Sequence, residues 1–294
     1  MLGKKPNFAI FLAVKNGMPW LPFQIKSIQD QKYINYKLFI NLDKSKDNSY
    51  FFLKKIQNNK IKIFKSRNSI GSPSKNFFWM IKNINFSKFD YLAFSDQDDI
   101  WHNKKLFYAH NEIKKKNFEG YSSNLIAFGN IKKNFFVKKN YAERKFDYLF
   151  ESASAGCTFV LKRKSALQLK YFLIKYWKKI LKINNYDWFI YAFFRHNNLK
   201  WFFDKRYTVN YRQHSNNFLG ANISFGSYKK RLNLIFSGWY DKEVKKIYDL
   251  LLNISKKKMI NVYSKIEIIK NINHTRRNML DRFFLLIFII FFIY

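Results

Sequence analysis

The sequence predicts an α/β fold, a mainly parallel sheet with helices on both faces, followed by a helical and basic C-terminal region. Short β-rich apolar runs alternate with segments of helical periodicity through the first half. Acidic side chains gather at two strand ends, and the alternation stops near residue 224.

The first run, residues 7–14, lies where a signal peptide would. Its apolar stretch from Phe8 to Val14 barely reaches the shortest signal core and lacks a small-residue cleavage site, so it reads as a strand. Leu21, Ile25 and Ile28 then recur at helical spacing, and "YKLFINL" at 36–42 is a second strand. "KIKIFKS" at 60–66 is a third, ahead of a helix over 74–84 with Ser74 as N-cap. A fourth strand, Tyr91 to Phe94, runs into an acidic cluster. Beyond it, 125–131 and 158–163 read as strands and the stretch from Ser165 as a helix.

Lys and Arg number 55 against 19 Asp and Glu, a net charge of +36. That charge attracts polyanions of any kind: nucleic acid, an anionic membrane surface or phosphate-bearing small molecules. A coding bias that enriches Lys, Asn, Ile, Phe and Tyr together produces the same excess. The one cysteine, Cys157, excludes an internal disulfide, and no zinc site is expected. Neither a G-x-G-x-x-G nor a Walker-type glycine loop is present, so a phosphate-binding enzyme here would need a cation.

Where acids are scarce, their placement carries information. Asp96, Asp98 and Asp99 fall within four positions after the fourth strand, and Asp43 follows the second. In open α/β sheets ligands bind beyond the carboxyl ends of strands, so the two positions are expected to share one crevice. Adjacent carboxylates repel unless solvated or bridged by a cation, and Mg²⁺ or Mn²⁺ prefers such oxygen donors. The cluster is no EF-hand, since Trp101 and Phe107 occupy the glycine and glutamate positions. The plain alternative is a solvated turn capping a helix over Ile100 to His110.

These residues resemble a known pattern. "FSDQDDIWHNKKL" is similar to the acidic motif of family 2 glycosyltransferases, above all the rhamnosyltransferase-like branch with F-S-D-Q-D-D-I-W-x-P-x-K-L; Asn103 replaces the proline. "AIFLAVKNGMPWLPFQIKSIQDQKY" resembles the family's first strand and helix, and "NLDKSKDNS" its D-D-G-S-x-D-N-T turn. "SASAGCTFVLKR" resembles G-C-T-x-V-x-x-R, "YDWFIYAFF" the H-D-W-W segment, and "YRQHSNNFLGA" Y-R-Q-H-x-x-N-x-x-G-A. The resemblance runs in register over roughly residues 7–222.

The resemblance implies a GT-A fold over residues 1–222, with 223–294 a helical, basic region ending in an apolar tail. It implies an inverting, metal-dependent transfer of a sugar, rhamnose or another deoxysugar, from a dTDP- or UDP-sugar to a glycan or lipid-linked acceptor of a cell-surface polysaccharide. Asp43 would accept a hydrogen bond from the pyrimidine imide. Asp98 would contact the ribose or support the metal, and Asp99 would coordinate Mg²⁺ or Mn²⁺ on the donor diphosphate. Asp187 would be the general base, with burial beside Trp188 raising its pKa. Arg212 and His214 would lie near the diphosphate. On the residues alone, Asp187 also suits a helix cap, His214 a loop-packing role, and Trp101 and Trp188 core packing rather than sugar stacking.

The chain departs from the family pattern at Leu42 and Lys44 in the turn, at Lys15 before Asn16, and at Tyr186 before the base. These departures motivate the alternative of a catalytically retired relative that binds a membrane or partner. Nucleic-acid binding, motivated by charge, is not expected, because carboxylates at the site would repel phosphate. Phe283 to Tyr294 is twelve uninterrupted apolar residues, about 18 Å as a helix and too short to span a bilayer. With Arg276, Arg277 and Arg282 as a basic flank, it predicts peripheral docking of a cytoplasmic protein on the inner face of the membrane.

Overall fold

A computed structural model describes residues 4–66, 68–129, 133–214, 237–254 and 259–291. Strands β1 (Asn7–Val14), β2 (Asn35–Leu42), β3 (Ile61–Lys65) and β4 (Tyr91–Ser95) are parallel, in the order β3-β2-β1-β4. Helices α1 (Leu21–Gln29), α2 (Ser49–Ile56) and α3 (Pro73–Asn83) make the crossovers. The sheet continues past β4 through β8 (Val160–Lys162), β6 (Gly120–Gly129), β9 (Trp201–Gln213) and the two-residue β5 (Ile100–Trp101). β8 is antiparallel to β4 and β6, β9 is parallel to β6, and β5 is antiparallel to β9, which makes the sheet mixed. A short β7 (Phe135–Val137) pairs with β6.

Alternation along β1 explains the uninterrupted apolar run read from the sequence. Phe8, Ile10, Leu12 and Val14 face a layer with Leu21, Ile25 and Ile28 of α1 and with α4 (Lys105–Lys116). Ala9, Phe11 and Ala13 face the opposite layer, which holds α3, α5 (Arg163–Lys175), α6 (Trp177–Ile180) and α7 (Tyr186–His196). A strand covered on both faces has no polar side to show. That second layer also takes in side chains of α8 (Trp239–Leu252), α9 (Lys265–Lys270) and α10 (Met279–Phe291), so the C-terminal helices pack into the same core as the sheet.

Several local expectations shift. Ser72, not Ser74, caps α3, its side chain accepting from Lys75 N at 3.2 Å, while Ser74 instead receives the Tyr186 N–H at 3.0 Å. The helix expected from Ile100 to His110 begins only at Lys105, because Ile100 and Trp101 pair with Asn210 and Val209 at the sheet edge. The strand expected at 158–163 is Val160–Lys162, preceded by a 3-10 turn at Gly156–Thr158, and the following helix starts at Arg163 rather than Ser165. The strand expected at 125–131 begins earlier, at Gly120, and ends at Gly129; residues 130 and 131 lie outside the described residues, as do 215–221 of the "YRQHSNNFLGA" segment.

At the C-terminus the apolar segment is helical through Phe291. Leu285 and Ile289 are buried while Phe283, Phe284, Ile290 and Phe291 are exposed. Among the described residues no helix is long and apolar enough to cross a membrane. The expected basic flank is overturned at Arg277, which is buried with its guanidinium turned inward onto the carbonyls of Ser152 and Ala153.

Candidate active site

β1 lies between β2 and β4, so the loops leaving the carboxyl ends of all three converge, and side chains latch them together. Gln97 accepts from Lys15 N at 2.7 Å and donates back to Lys15 O at 3.0 Å. Ser45 Oγ accepts from Asn16 N at 2.9 Å, Asn16 Oδ1 from Lys46 N at 2.8 Å, and Asp47 Oδ2 from Met18 N at 2.8 Å. Asn16 has φ 49°, a left-handed conformation that asparagine tolerates better than most residues. Sequence reasoning missed Gln97, Asn16 and Asp47 as latches; amide and carboxylate side chains beside strand ends were the only signal.

Asp43 is buried beneath this latch. Its Oδ1 accepts from Lys44 N at 2.7 Å and Ile70 N at 2.8 Å, and its Oδ2 from Gly71 N at 3.3 Å, with Lys15 Nζ at 3.6 Å. The carboxylate therefore fixes the loop before α3, and its Oδ2 is the less committed oxygen. Lys15, a departure from the family pattern, neutralises Asp43. Leu42, another departure, points into the core, so an acid is not missing from the crevice there.

The acidic loop brings four predicted residues together. Asp98 Oδ2 lies 2.7 Å from His214 Nε2. Arg212 donates Nε–H to Asp98 O at 2.8 Å, and its backbone N–H donates to Asp99 Oδ1 at 3.1 Å. The Arg212 guanidinium is held between the Trp20 and Phe128 rings, 4.3 and 4.4 Å from their centroids, and Trp20 also stacks on His214. Trp20, on the β1 loop, is a wall of this site that the sequence did not single out.

Beneath that pair the environment changes. Asp99 is fully buried, and its Oδ2 has no full hydrogen bond, only the weak donor Cys157 nearby. Burial, then the charges of Asp98 and Asp96, pushes its pKa well above the usual carboxylate range. Asp96 is raised to about 8 by burial and by Asp98 and Asp187. Lys105 is equally buried, its Nζ 3.6 Å over the Trp101 ring, and burial lowers it to about 7. Donor atoms of Asp96, Asp99 and Cys157 lie within 4.8 Å of one another. A thiol in that set suits soft metals, whereas the Asp98 carboxylate beside it suits Mn²⁺ or Mg²⁺ and the His214 imidazole suits Mn²⁺ better than Mg²⁺.

Asp187 lies in the first turn of α7, across the crevice from Asp96. Asn185, not Asp187, holds the N-cap position; Asp187 Oδ1 accepts from Trp188 N at 2.8 Å. Burial raises its pKa to about 6, against the lowering effects of backbone N–H groups, the Ser152 hydroxyl and Lys139. Trp188 is core, donating Nε1–H to Tyr148 O at 3.0 Å and stacking on Tyr240, and Trp101 is buried as well. Tyr186 fills the space where the family pattern has histidine. Among the described residues its buried hydroxyl has no hydrogen-bond partner, and it presses on Gly156, where any Cβ would overlap it.

The arrangement has relatives. A dTDP-rhamnosyl transferase of Shigella flexneri is 40% identical over 247 residues, 83% of this chain and 86% of that protein. A UDP-Glc:α-D-GlcNAc-diphosphoundecaprenol β-1,3-glucosyltransferase of Escherichia coli is 26% identical over 60% of this chain and 70% of that one. Among solved structures, TarS residues 1–349 of S. aureus in complex with UDP-GlcNAc superposes with a TM-score of 0.56 at 11% identity, covering 90% of this chain and 79% of that one, a likeness of fold. The glycosyl transferase family 2 model matches residues 9–169, and with the 40% identical relative it shows that this chain is a family 2 glycosyltransferase.

Proposed function

We propose that the chain transfers rhamnose from a dTDP-linked donor, with inversion, to a glycan on a polyprenyl diphosphate carrier in surface-polysaccharide synthesis. The observation that carries this reading is the 40% identity to a dTDP-rhamnosyl transferase along 83% of the chain, with the acidic loop inside the matched region. The lipid-linked acceptor is supported by the diphosphoundecaprenol substrate named for the second relative. The exposed apolar face of α10 supports work at the inner face of the cytoplasmic membrane. Residues 1–222 would supply donor and acceptor sites, with the later helices packed against them.

In this reading Asp98, Asp99 Oδ2 and His214 would hold a divalent ion, Mg²⁺ or Mn²⁺, while Asp99 Oδ1 fixes the backbone of Arg212. The assignment of Asp99 as a ligand is supported by its buried Oδ2, which has no full hydrogen bond among the described residues while Oδ1 takes the Arg212 N–H. Bound there, such an ion would supply positive charge against that growing on the leaving diphosphate. Arg212, stiffened between two rings, adds a fixed cationic donor on the same side. Asp43 Oδ2 accepts the imide N–H of the base. Asp187 takes the proton of the acceptor hydroxyl as its oxygen attacks the anomeric carbon from the face opposite the diphosphate. A pKa near 6 leaves Asp187 mostly ionised at neutral pH yet more basic than an ordinary aspartate.

Titration calorimetry with dTDP, UDP and GDP, with and without Mn²⁺, tests the donor half. Ion-dependent binding of dTDP, lost in Asp98→Ala, is expected. Transfer from dTDP-rhamnose to a synthetic polyprenyl diphosphate GlcNAc tests the rest, and a chain that binds no nucleotide diphosphate would sink the proposal.

A further inference from the structure

We propose that Arg277, from the C-terminal region, is a positioning residue for Asp187: its guanidinium ties down the backbone at Lys139 and at Ser152 and Ala153 and, through Asp147, the helix that carries that carboxylate. This rests on the reading of Asp187 as the base.

The geometry is unusual for an arginine next to an apolar helix. Arg277 is 4% exposed. Its Nη2 donates to Ser152 O at 2.6 Å and Ala153 O at 2.9 Å, and its Nη1 to Lys139 O at 3.2 Å. Its backbone N–H and Nε–H both go to Glu151 Oε1, at 2.6 and 3.1 Å. Burial raises the Glu151 carboxyl, but Arg277 and Arg276 outweigh it and hold it below its ordinary value, so the pair is ionised. The guanidinium plane also sits 4.5 Å over Phe203. One side chain thus ties three carbonyls from two segments to the C-terminal chain.

Those segments converge on Asp187. The Ser152 hydroxyl donates to Ser154 O at 2.9 Å, and Ser152 and Lys139 both favour the ionised form of the Asp187 carboxylate. The remaining groups around Asp187 are its own and the Trp188 N–H, the Asp96 carboxyl across the crevice and the Tyr186 hydroxyl. Arg277 therefore grips the backbone of two residues that favour the ionised base from outside α7. A second tie exists on α7 itself. Asp147, 3.8 Å from Arg277 Nε, accepts from Tyr191 and Arg195 of that helix at 3.0 and 2.8 Å. The buried Glu243 of α8 accepts from Asn184 N and Asn185 N just before α7, at 2.6 and 3.0 Å. The C-terminal region thus braces the base from both sides. A small displacement of a catalytic group costs rate without costing substrate affinity.

The test uses the full chain, Arg277→Lys and Ser152→Ala, in transfer from dTDP-rhamnose to a synthetic polyprenyl diphosphate GlcNAc. Both variants are expected to lower kcat by about tenfold or more with donor KM within about twofold. Both are expected to move the acid limb of the kcat profile to higher pH, because each removes support for the ionised carboxylate. A purely structural arginine would lower thermal stability and leave that midpoint in place, which overturns the proposal. Should Arg277→Lys not fold, the pair Glu151→Gln, Arg277→Gln removes both charges together and carries the same readouts. NMR titration of the ¹³C-labelled Asp187 carboxyl reads the midpoint without substrate. A wild type that transfers nothing therefore sinks the rhamnosyl reading while the titration still decides the clamp: a raised midpoint upholds it, an unchanged one overturns it.

Discussion

His214 Nε2 lies 2.7 Å from Asp98 Oδ2, across 116 residues of chain. The contact is made because β9 runs alongside β6 and its last residues pass under the acidic loop, where Arg212 N–H and Nε–H both bond to that loop. A carboxylate and an imidazole so placed form either an ion pair or two ligands of one cation. The two are separable. Asp98→Ala and His214→Ala are each expected to weaken Mn²⁺-dependent dTDP binding by at least about 10–100-fold, the loss typical of disturbing a metal site. Calorimetry with and without the ion checks it; equal weakening in the absence of Mn²⁺ would point to the plain ion pair.

Arg212 gives a second expectation. Its planar guanidinium fills the gap between Trp20 and Phe128 while its Nε–H holds Asp98 O. Lysine offers neither the plane nor the fixed donor direction, so Arg212→Lys is expected to behave as a disruptive change, with dTDP affinity down by about tenfold. Trp20→Ala should follow in the same direction through loss of one wall. Near-wild-type affinity in both variants would remove Arg212 from the diphosphate side.

Asp187 couples activity to pH and stability to charge. Its folded pKa of about 6 stands above the ordinary aspartate value. The base must be ionised, so kcat is expected to fall as pH drops through about 6. The linkage runs the other way for stability: a carboxyl with a raised folded pKa contributes stability that is present below its unfolded pKa and lost as pH rises through the folded one. At neutral pH the ionised Asp187 thus costs the fold up to about 3 kcal/mol. Asp187→Asn is expected to lower kcat by roughly 100- to 10,000-fold while raising Tm at pH 7. Comparing kcat and thermal melts across pH 5 to 8 checks both signs.

The sheet's first half and the acidic loop were legible because both signals are local: short continuous apolar runs that alternate with helices, and acids clustered where acids are scarce. Strand β9 was not, because it interleaves the buried Asp204 and the exposed or half-buried Lys205, Arg206 and Arg212 among aromatics, which masks the period. The helix expected at Ile100 was displaced by pairing with a strand more than a hundred residues away, which no local window sees. Arg277 was misjudged for a related reason. Three arginines before an apolar segment look like a membrane flank, and only tertiary structure reveals carbonyls and Glu151 waiting inside. Trp20 carries no signal of its own, since its role comes from loops brought together by strand order.

Gly156 and Tyr186 test the packing beneath the base. A Cβ at Gly156 would overlap the Tyr186 hydroxyl and ring, and the 3-10 turn there sits between β4 and α7 with no room to retreat. Gly156→Ala is expected to cost roughly 1–3 kcal/mol by overpacking. Tyr186→Phe removes a buried hydroxyl that lacks a partner among the described residues, so it should be neutral or stabilising despite its closeness to Asp187. Denaturant unfolding of both variants checks the pair; a Tyr186→Phe loss of more than about 1 kcal/mol would mean the hydroxyl is bonded.

The two faces of α10 separate folding from membrane docking. Leu285 and Ile289 are buried against the C-terminal layer, so Leu285→Ala is expected to cost about 2–5 kcal/mol. Phe283 and Phe284 are more than half exposed, at 58% and 56%, and the protein gains nothing from them in water. Substituting both with serine should leave Tm unchanged and reduce co-sedimentation with phosphatidylglycerol vesicles by about tenfold or more, given roughly 1.5–3 kcal/mol for each fully buried ring. Added salt should weaken binding only partly, because Arg277 is committed inside and fewer cations than the sequence suggests remain for headgroups. Unchanged vesicle binding in the double serine variant would move the contact to another surface. A large loss of binding by salt alone would make charge, not the aromatic face, the anchor.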